Sequence, residues 1–166
     1  MTIEQLYCLA AEHNIEIDDF PMKELRALSV AGGWIAIDRR KFNSDTEYKC
    51  TLAHEIGHCE TGSFYNLYTS VSIKELNEHQ ANRYAAELLV PFQQLLHAMH
   101  VRGIAISRTL ARMFDVTLEF INMVLDLYEQ ELASPAYRRP AWTILALTAC
   151  VGRQNENAPS NNYGRL

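Results

Sequence analysis

The sequence lacks a long hydrophobic run, a cluster of basic residues and any paired-cysteine pattern, and each absence removes a class of function. Its longest late apolar stretch, Ala141 to Val151, contains two threonines and falls well short of the roughly 20 residues needed to span a bilayer. Nothing around Met1-Thr2-Ile3-Glu4-Gln5 has the basic region and apolar core of a secretory leader. The 15 Lys and Arg are outnumbered by 20 Asp and Glu, a net charge of −5, so the footing for binding a phosphate backbone is missing. Cys8, Cys50, Cys59 and Cys150 show neither a CxxC nor a zinc-finger spacing. They read as reduced thiols of a cytoplasmic protein. No internal repeat is visible.

What remains is a chain of 166 residues, nearly half of them apolar, which suits one domain with a modest core. Helical spacing of Ile3, Leu6, Leu9 and Ala10 predicts an opening helix over 2–13. Ile15-Glu16-Ile17 and the stretch 28–38 read as extended, with Gly32-Gly33 as a turn, so a small hairpin or sheet follows. Ser44 with Glu47 forms a capping box, predicting a helix from about 45 to 60 that Gly62 stops. Ser72 with Glu75 reads as a second capping box, opening a helix that Pro91 ends. Further helices are expected over 92–101, closed by Gly103, and over 107–115 and 117–132. The fold class is therefore α+β, a small sheet packed on a bundle of helices. Residues 1–133 are expected to form the domain, and residues 134–166 a C-terminal extension that is largely flexible.

The chemistry concentrates in His54-Glu55-Ile56-Gly57-His58. Residues four apart on a helix are separated by about 400°, so both imidazoles leave one face within about 40° of each other. Two ring nitrogens can then reach one ion at roughly 2.0–2.1 Å. Glu55 is turned about 100° away, placing it beside the metal as a general base for a water rather than as a ligand. His-Glu-x-x-His arises by chance in roughly one chain of this length in two hundred, and here it falls inside a capped helix. Gly57 costs a helix about 1 kcal/mol relative to alanine, which implies that something packs close against the helix there, such as a strand or a substrate backbone.

A catalytic zinc needs a third protein ligand and an open position. Glu78, 20 residues after His58, lies on the next helix; His79 and Glu87 are alternatives. Glu78 and Glu87 differ by about half a turn, so they cannot both face one ion. Asn82 is one turn beyond Glu78 and can fix a nearby histidine by hydrogen bonding. Histidine and carboxylate donors favour zinc. Cys59, about 100° round from His58, reads as an ordinary thiol, and His97 and His100 as helix-surface residues. Tyr65 and Tyr84 are conceivable oxyanion donors that nothing in the sequence positions. Arg138-Arg139 is too short to form a basic patch.

Thr51-Leu52-Ala53-His54-Glu55-Ile56-Gly57-His58 and the stretch from Glu78 through Asn82-Arg83-Tyr84 to Pro91 resemble the ImmA/IrrE family of metallopeptidases. The resemblance runs from the Trp34 strand to about Tyr128, and the continuation Cys59 to Tyr65 is similar to members carried by prophages and mobile elements. It implies a thermolysin-like set of ligands, His54, His58 and Glu78, with Glu55 as general base. Where such relatives often have aspartate, this chain has Asn82, which still accepts a hydrogen bond but brings no negative charge. The resemblance also implies the target class, a helix-turn-helix repressor protein.

Two other functions compete. Residues 110–117 resemble the first half of a helix-turn-helix, but the would-be recognition helix carries Glu119, Asp126, Glu129 and Glu131 and no Lys or Arg. That charge opposes DNA. Alternatively, the protein sequesters a regulator without cutting it; retention of Glu55, which a purely structural zinc does not require, favours catalysis.

Overall fold

The computed structural model describes residues 1–66, 68–100 and 106–133. It is an α+β fold of six helices and one three-stranded sheet among the described residues. The proposed extension 134–166, with Arg138-Arg139 and Cys150, lies outside them, as do Val101 and Gly103. No helix among them is long and apolar enough to cross a membrane.

Helix α1 (Ile3–Glu12) opens on a reciprocal cap between Thr2 and Gln5 and buries Leu6 and Ala10 against the rest of the core. Strands β1 (Glu16–Asp19), β2 (Ala27–Val30) and β3 (Trp34–Ile37) form a sheet in the order β1-β3-β2. β2 and β3 are an antiparallel hairpin turned by Gly32 and Gly33, both at positive φ, whereas β1 pairs with β3 in parallel. The sequence signals give the hairpin. The parallel partner is a long-range pairing, which local patterning does not encode. Ile35, Ala36 and Ile37 are buried on the central strand, while β2 exposes Leu28 and Val30.

Helix α2 (Asp45–Thr61) crosses the middle of the molecule and is buried around most of its circumference, including Tyr48, Leu52, Ala53 and Ile56. Its cap is half of the expected box. Ser44 Oγ accepts from Glu47 N, but the Glu47 carboxylate takes the N–H of Asn43 and pairs with Arg26 instead of closing on Ser44. Gly62, at φ 65°, ends the helix in the left-handed conformation, where glycine has no steric penalty.

Helix α3 (Val71–Leu89) corrects the second capping box. Its N-cap is Ser70, not Ser72, and no side chain caps it. The loop just before it is tied by Asn66 and Thr69, with Asn66 Oδ1 accepting from Tyr68 N and Thr69 Oγ1 from Asn66 N. That small turn sets the helix start upstream and leaves Ser72 in the first turn.

Helices α4 (Phe92–His100), α5 (Ser107–Phe114) and α6 (Leu118–Ala133) complete the bundle. Leu95, Leu110, Ile121, Leu125 and Tyr128 are fully buried there, each stabilising the fold by about 1.5–3 kcal/mol. The α5–α6 turn at Asp115 is tied to α2, where the Asp115 carboxylate pairs with the buried Lys49 and accepts from Thr46 Oγ1. α6 therefore uses its apolar face as core.

Candidate metal centre

The motif residues converge on the line where α2 meets α3. Gly57 makes that approach possible: a Cβ built there would lie 2.5 Å from the carbonyl oxygen of Ala81. The close packing expected at Gly57 is present, and the neighbour is the backbone of α3 rather than a strand or a substrate. With the helices this near, Glu78 and Asn82 on α3 come level with His54 and His58 on α2.

His54 Nε2 lies 3.1 Å from His58 Nε2 and 3.4 Å from Glu78 Oε2, and His58 Nε2 lies 3.6 Å from Glu78 Oε1. Tetrahedral donors bonded at 2.0–2.1 Å stand about 3.3 Å apart, so this triangle has the size of a zinc site. The opposite ring nitrogens fix the tautomers. His58 Nδ1 donates to the Ser63 carbonyl oxygen at 2.8 Å, and His54 Nδ1 donates to Asn82 Oδ1 at 2.9 Å. In the neutral rings both Nε2 atoms are therefore unprotonated lone pairs aimed at each other. A cation between them resolves that repulsion, so the donor set fits a metal.

The electrostatics agree with the geometry. Burial works to lower the His54 pKa, but hydrogen bonding to Glu78, the Glu55 and Glu78 charges and Asn82 outweigh it and raise the value above its ordinary 6.5. Burial and the neighbouring His54 lower that of His58. The hydrogen bond to His54 holds the Glu78 carboxyl down at about 2, against the opposing effect of burial. Tyr65 donates to Glu78 Oε1 at 2.5 Å; burial and that carboxylate push its hydroxyl up to about 12, so it remains a donor at neutral pH.

These shifts set a pH dependence. Zinc needs both imidazoles neutral. His54 is protonated first as pH falls, from above its ordinary 6.5, and His58 follows lower down. Apparent zinc affinity should fall about tenfold per pH unit once His54 takes a proton and about a hundredfold per unit once both do. A chelator-competition titration between pH 8 and 5 measures this; a flat profile would exclude imidazole ligands.

Glu55 is buried and lines a cleft of about 590 Å³ with His54, His58, Tyr65, Glu78 and the strand residues Ala27, Leu28 and Ser29. A second cleft of similar size also borders His54, between the starts of α2 and α6. The rival candidates lie elsewhere. Glu87 accepts from Tyr128 Oη and pairs with Arg83, and His79 is exposed outside the cluster. His97 and His100 are exposed on α4. Tyr84 lies away from the cleft, where burial and the nearby Glu60 charge raise its pKa. Burial raises the Cys59 thiol to about 11, so it stays protonated.

Two contributors went unread in the sequence, Ser63 and the placement of Tyr65. Gly62 carried the signal for both, because its left-handed turn folds the chain back over the last turn of α2. Ser63 N then bonds to the His58 carbonyl oxygen while its own carbonyl meets the His58 ring.

No curated protein and no solved structure matches the chain. A family model does, over residues 10–126, from α1 to α6, and it is the peptidase M78 model described as the IrrE N-terminal-like domain. Spanning most of the chain and containing the whole His54–Glu78 cluster, that match shows that the protein belongs to the IrrE N-terminal-like family of M78 peptidases.

Proposed function

We propose that the protein is a zinc-dependent endopeptidase acting on a protein substrate, a helix-turn-helix repressor of a phage or mobile element. The observation that carries the hydrolytic part is the triangle of His54, His58 and Glu78 with Glu55 beside it in one cleft. The target class rests on family resemblance.

Each residue has a task that follows from its position. His54, His58 and Glu78 would hold the ion, with Asn82 and the Ser63 carbonyl oxygen keeping each imidazole in the tautomer that presents Nε2. Bound there, zinc supplies Lewis acidity, bringing the pKa of a water to near neutrality and polarising the scissile carbonyl. Glu55 takes the proton of the attacking water and returns it to the leaving amine. Tyr65 keeps its proton, which in this structure goes to Glu78 Oε1, and can donate toward the carbonyl oxygen by exchanging that bond as charge develops there. Among the described residues no strand pairs with the outer edge of β2, and a substrate segment laid along it as an added strand would run past the metal. Ala27 and Ser29 line that wall and leave room for larger substrate side chains.

Metal content tests the reading. Purified wild-type protein should carry about one zinc per chain, Glu78→Ala should carry none, and Glu87→Ala should match wild type. Retention in Glu78→Ala with loss in Glu87→Ala would reverse the ligand assignment. No metal in the wild type, even when zinc is supplied, would remove the peptidase reading.

A further inference from the structure

The second cleft beside His54, of about 590 Å³, takes no part in the hydrolysis just described. Both clefts lie along one face of α2. Glu47, Cys50, Thr51 and His54 border the second, and their spacings of three, four and seven residues put them on the same side of the helix. His58, four residues further on, continues that face into the first cleft. The two clefts therefore follow one another along α2 and meet at His54, one of the metal donors. From Glu47 to His54 the axis advances about 10 Å, the length of about three residues of extended chain.

Charge is divided unevenly between them. The first cleft has Lys74 in its wall, the ammonium 4.8 Å from the centre of the Tyr65 ring. The second has Arg26, Glu47 and Glu119. Arg26 pairs with Glu47, so those two charges cancel. Glu119, exposed in the first turn of α6, has no ion pair among the described residues, and its carboxylate is the charge left over. The lining beside it is uncharged. Phe120 is buried there, and burial pushes the Cys50 thiol up to about 11, so it stays neutral. Asn82 lines the same cleft. Its Oδ1 is taken by His54 Nδ1, and among the described residues nothing accepts from its Nδ2, which is left to donate to a carbonyl oxygen of a bound chain.

We propose that the second cleft receives the substrate residue next to the scissile bond, on the side away from the first cleft, and that Glu119 makes it select lysine or arginine. Such selection presupposes the peptidase reading, since the metal fixes where the scissile bond lies. The alkyl stem of either side chain covers apolar lining while its charged end stays near solvent beside Glu119. Lys74 disfavours the same cation in the first cleft, and Glu119 repels an acidic side chain from the second. Glu119 determines specificity and has no part in bond breaking.

Amino-acid hydroxamates test this, because the hydroxamate chelates the ion and presents one side chain beside it. Calorimetric titration of the zinc-loaded full-length protein should show arginine hydroxamate bound about threefold or more tighter than norleucine hydroxamate, the size of one exposed charge pair, with glutamate hydroxamate the weakest. The preference should vanish in Glu119→Gln and reverse in Glu119→Lys, both at an exposed position that leaves zinc content unchanged. Equal affinities in the wild type, or an arginine preference that persists in Glu119→Lys, overturn the subsite and leave the metal centre standing. Failure of all three hydroxamates to bind removes the metal reading, and the subsite falls with it.

Discussion

Glu55→Gln should lower peptide-bond hydrolysis by about 10²–10⁴-fold, the usual contribution of a positioned general base, while leaving about one zinc per chain. The two effects separate because Glu55 is not one of the three clustered donors, yet it faces the same cleft. Glutamine keeps the shape and the hydrogen-bonding reach of glutamate but cannot accept a proton from water. Its neutrality also removes a charge that raises the basicity of both His54 and His58. Proton competition for the metal site should therefore weaken slightly, which offsets part of the attraction for the ion that the lost carboxylate charge supplied. Single-turnover cleavage of a purified repressor, run beside metal analysis and a binding assay with the same repressor, measures all three quantities. Loss of cleavage and of the regulatory effect, with zinc and repressor binding intact, would end the sequestration reading. Unchanged cleavage would remove Glu55 from its role, and a regulatory effect that survives the loss of cleavage would restore sequestration as the function.

Local rules made much of this site readable in advance. The i, i+4 spacing of His54 and His58 and the stop at Gly62 are properties of one helix, and the structure shows both on α2. The approach of Glu78 depends on how two helices pack. Sequence spacing narrowed the third donor to residues on α3, and only the meeting of Gly57 with Ala81 selects the turn that faces α2. Capping was read less well. The pattern at Ser72 and Glu75 matches a capping box, but the tied turn of Asn66 and Thr69 begins the helix at Ser70. The parallel pairing of β1 with β3 was equally out of reach, since it joins segments separated by the whole of β2. Glu87 shows the same limit from the other direction. It was a credible ligand by type and distance along the chain; its pairing with Arg83 is local to α3, but its bond to Tyr128 becomes visible only when α6 is in place.

Gly57→Ala should destabilise the protein and weaken zinc binding together, although alanine is the better helix former by about 1 kcal/mol. The added Cβ would stand 2.5 Å from the Ala81 carbonyl oxygen and 3.1 Å from its Cα and carbonyl carbon. Those atoms are helix backbone and cannot swing aside as a flexible side chain could. Ala53, Ala81 and Ala85 are fully buried at the same interface, so no slack is available nearby, and α2 and α3 must separate. Overpacking of this kind costs about 1–3 kcal/mol, and against a rigid backbone the upper part of that range applies, so the propensity gain is outweighed and the net loss reaches up to about 2 kcal/mol. The site feels the separation directly, because Gly57 lies between the two histidines and Ala81 between Glu78 and Asn82. Moving the helices apart lengthens the 3.4 and 3.6 Å separations from the histidines to Glu78 and the 2.9 Å bond from His54 to Asn82. Misplacing such supports typically weakens metal affinity about 10–100-fold. Urea denaturation of the metal-free protein and zinc competition titrations read the two effects independently. A Gly57→Ala protein that is more stable than wild type and binds zinc equally well would show that α2 and α3 do not make this contact, and the placement of Glu78 opposite the histidines would fall with it.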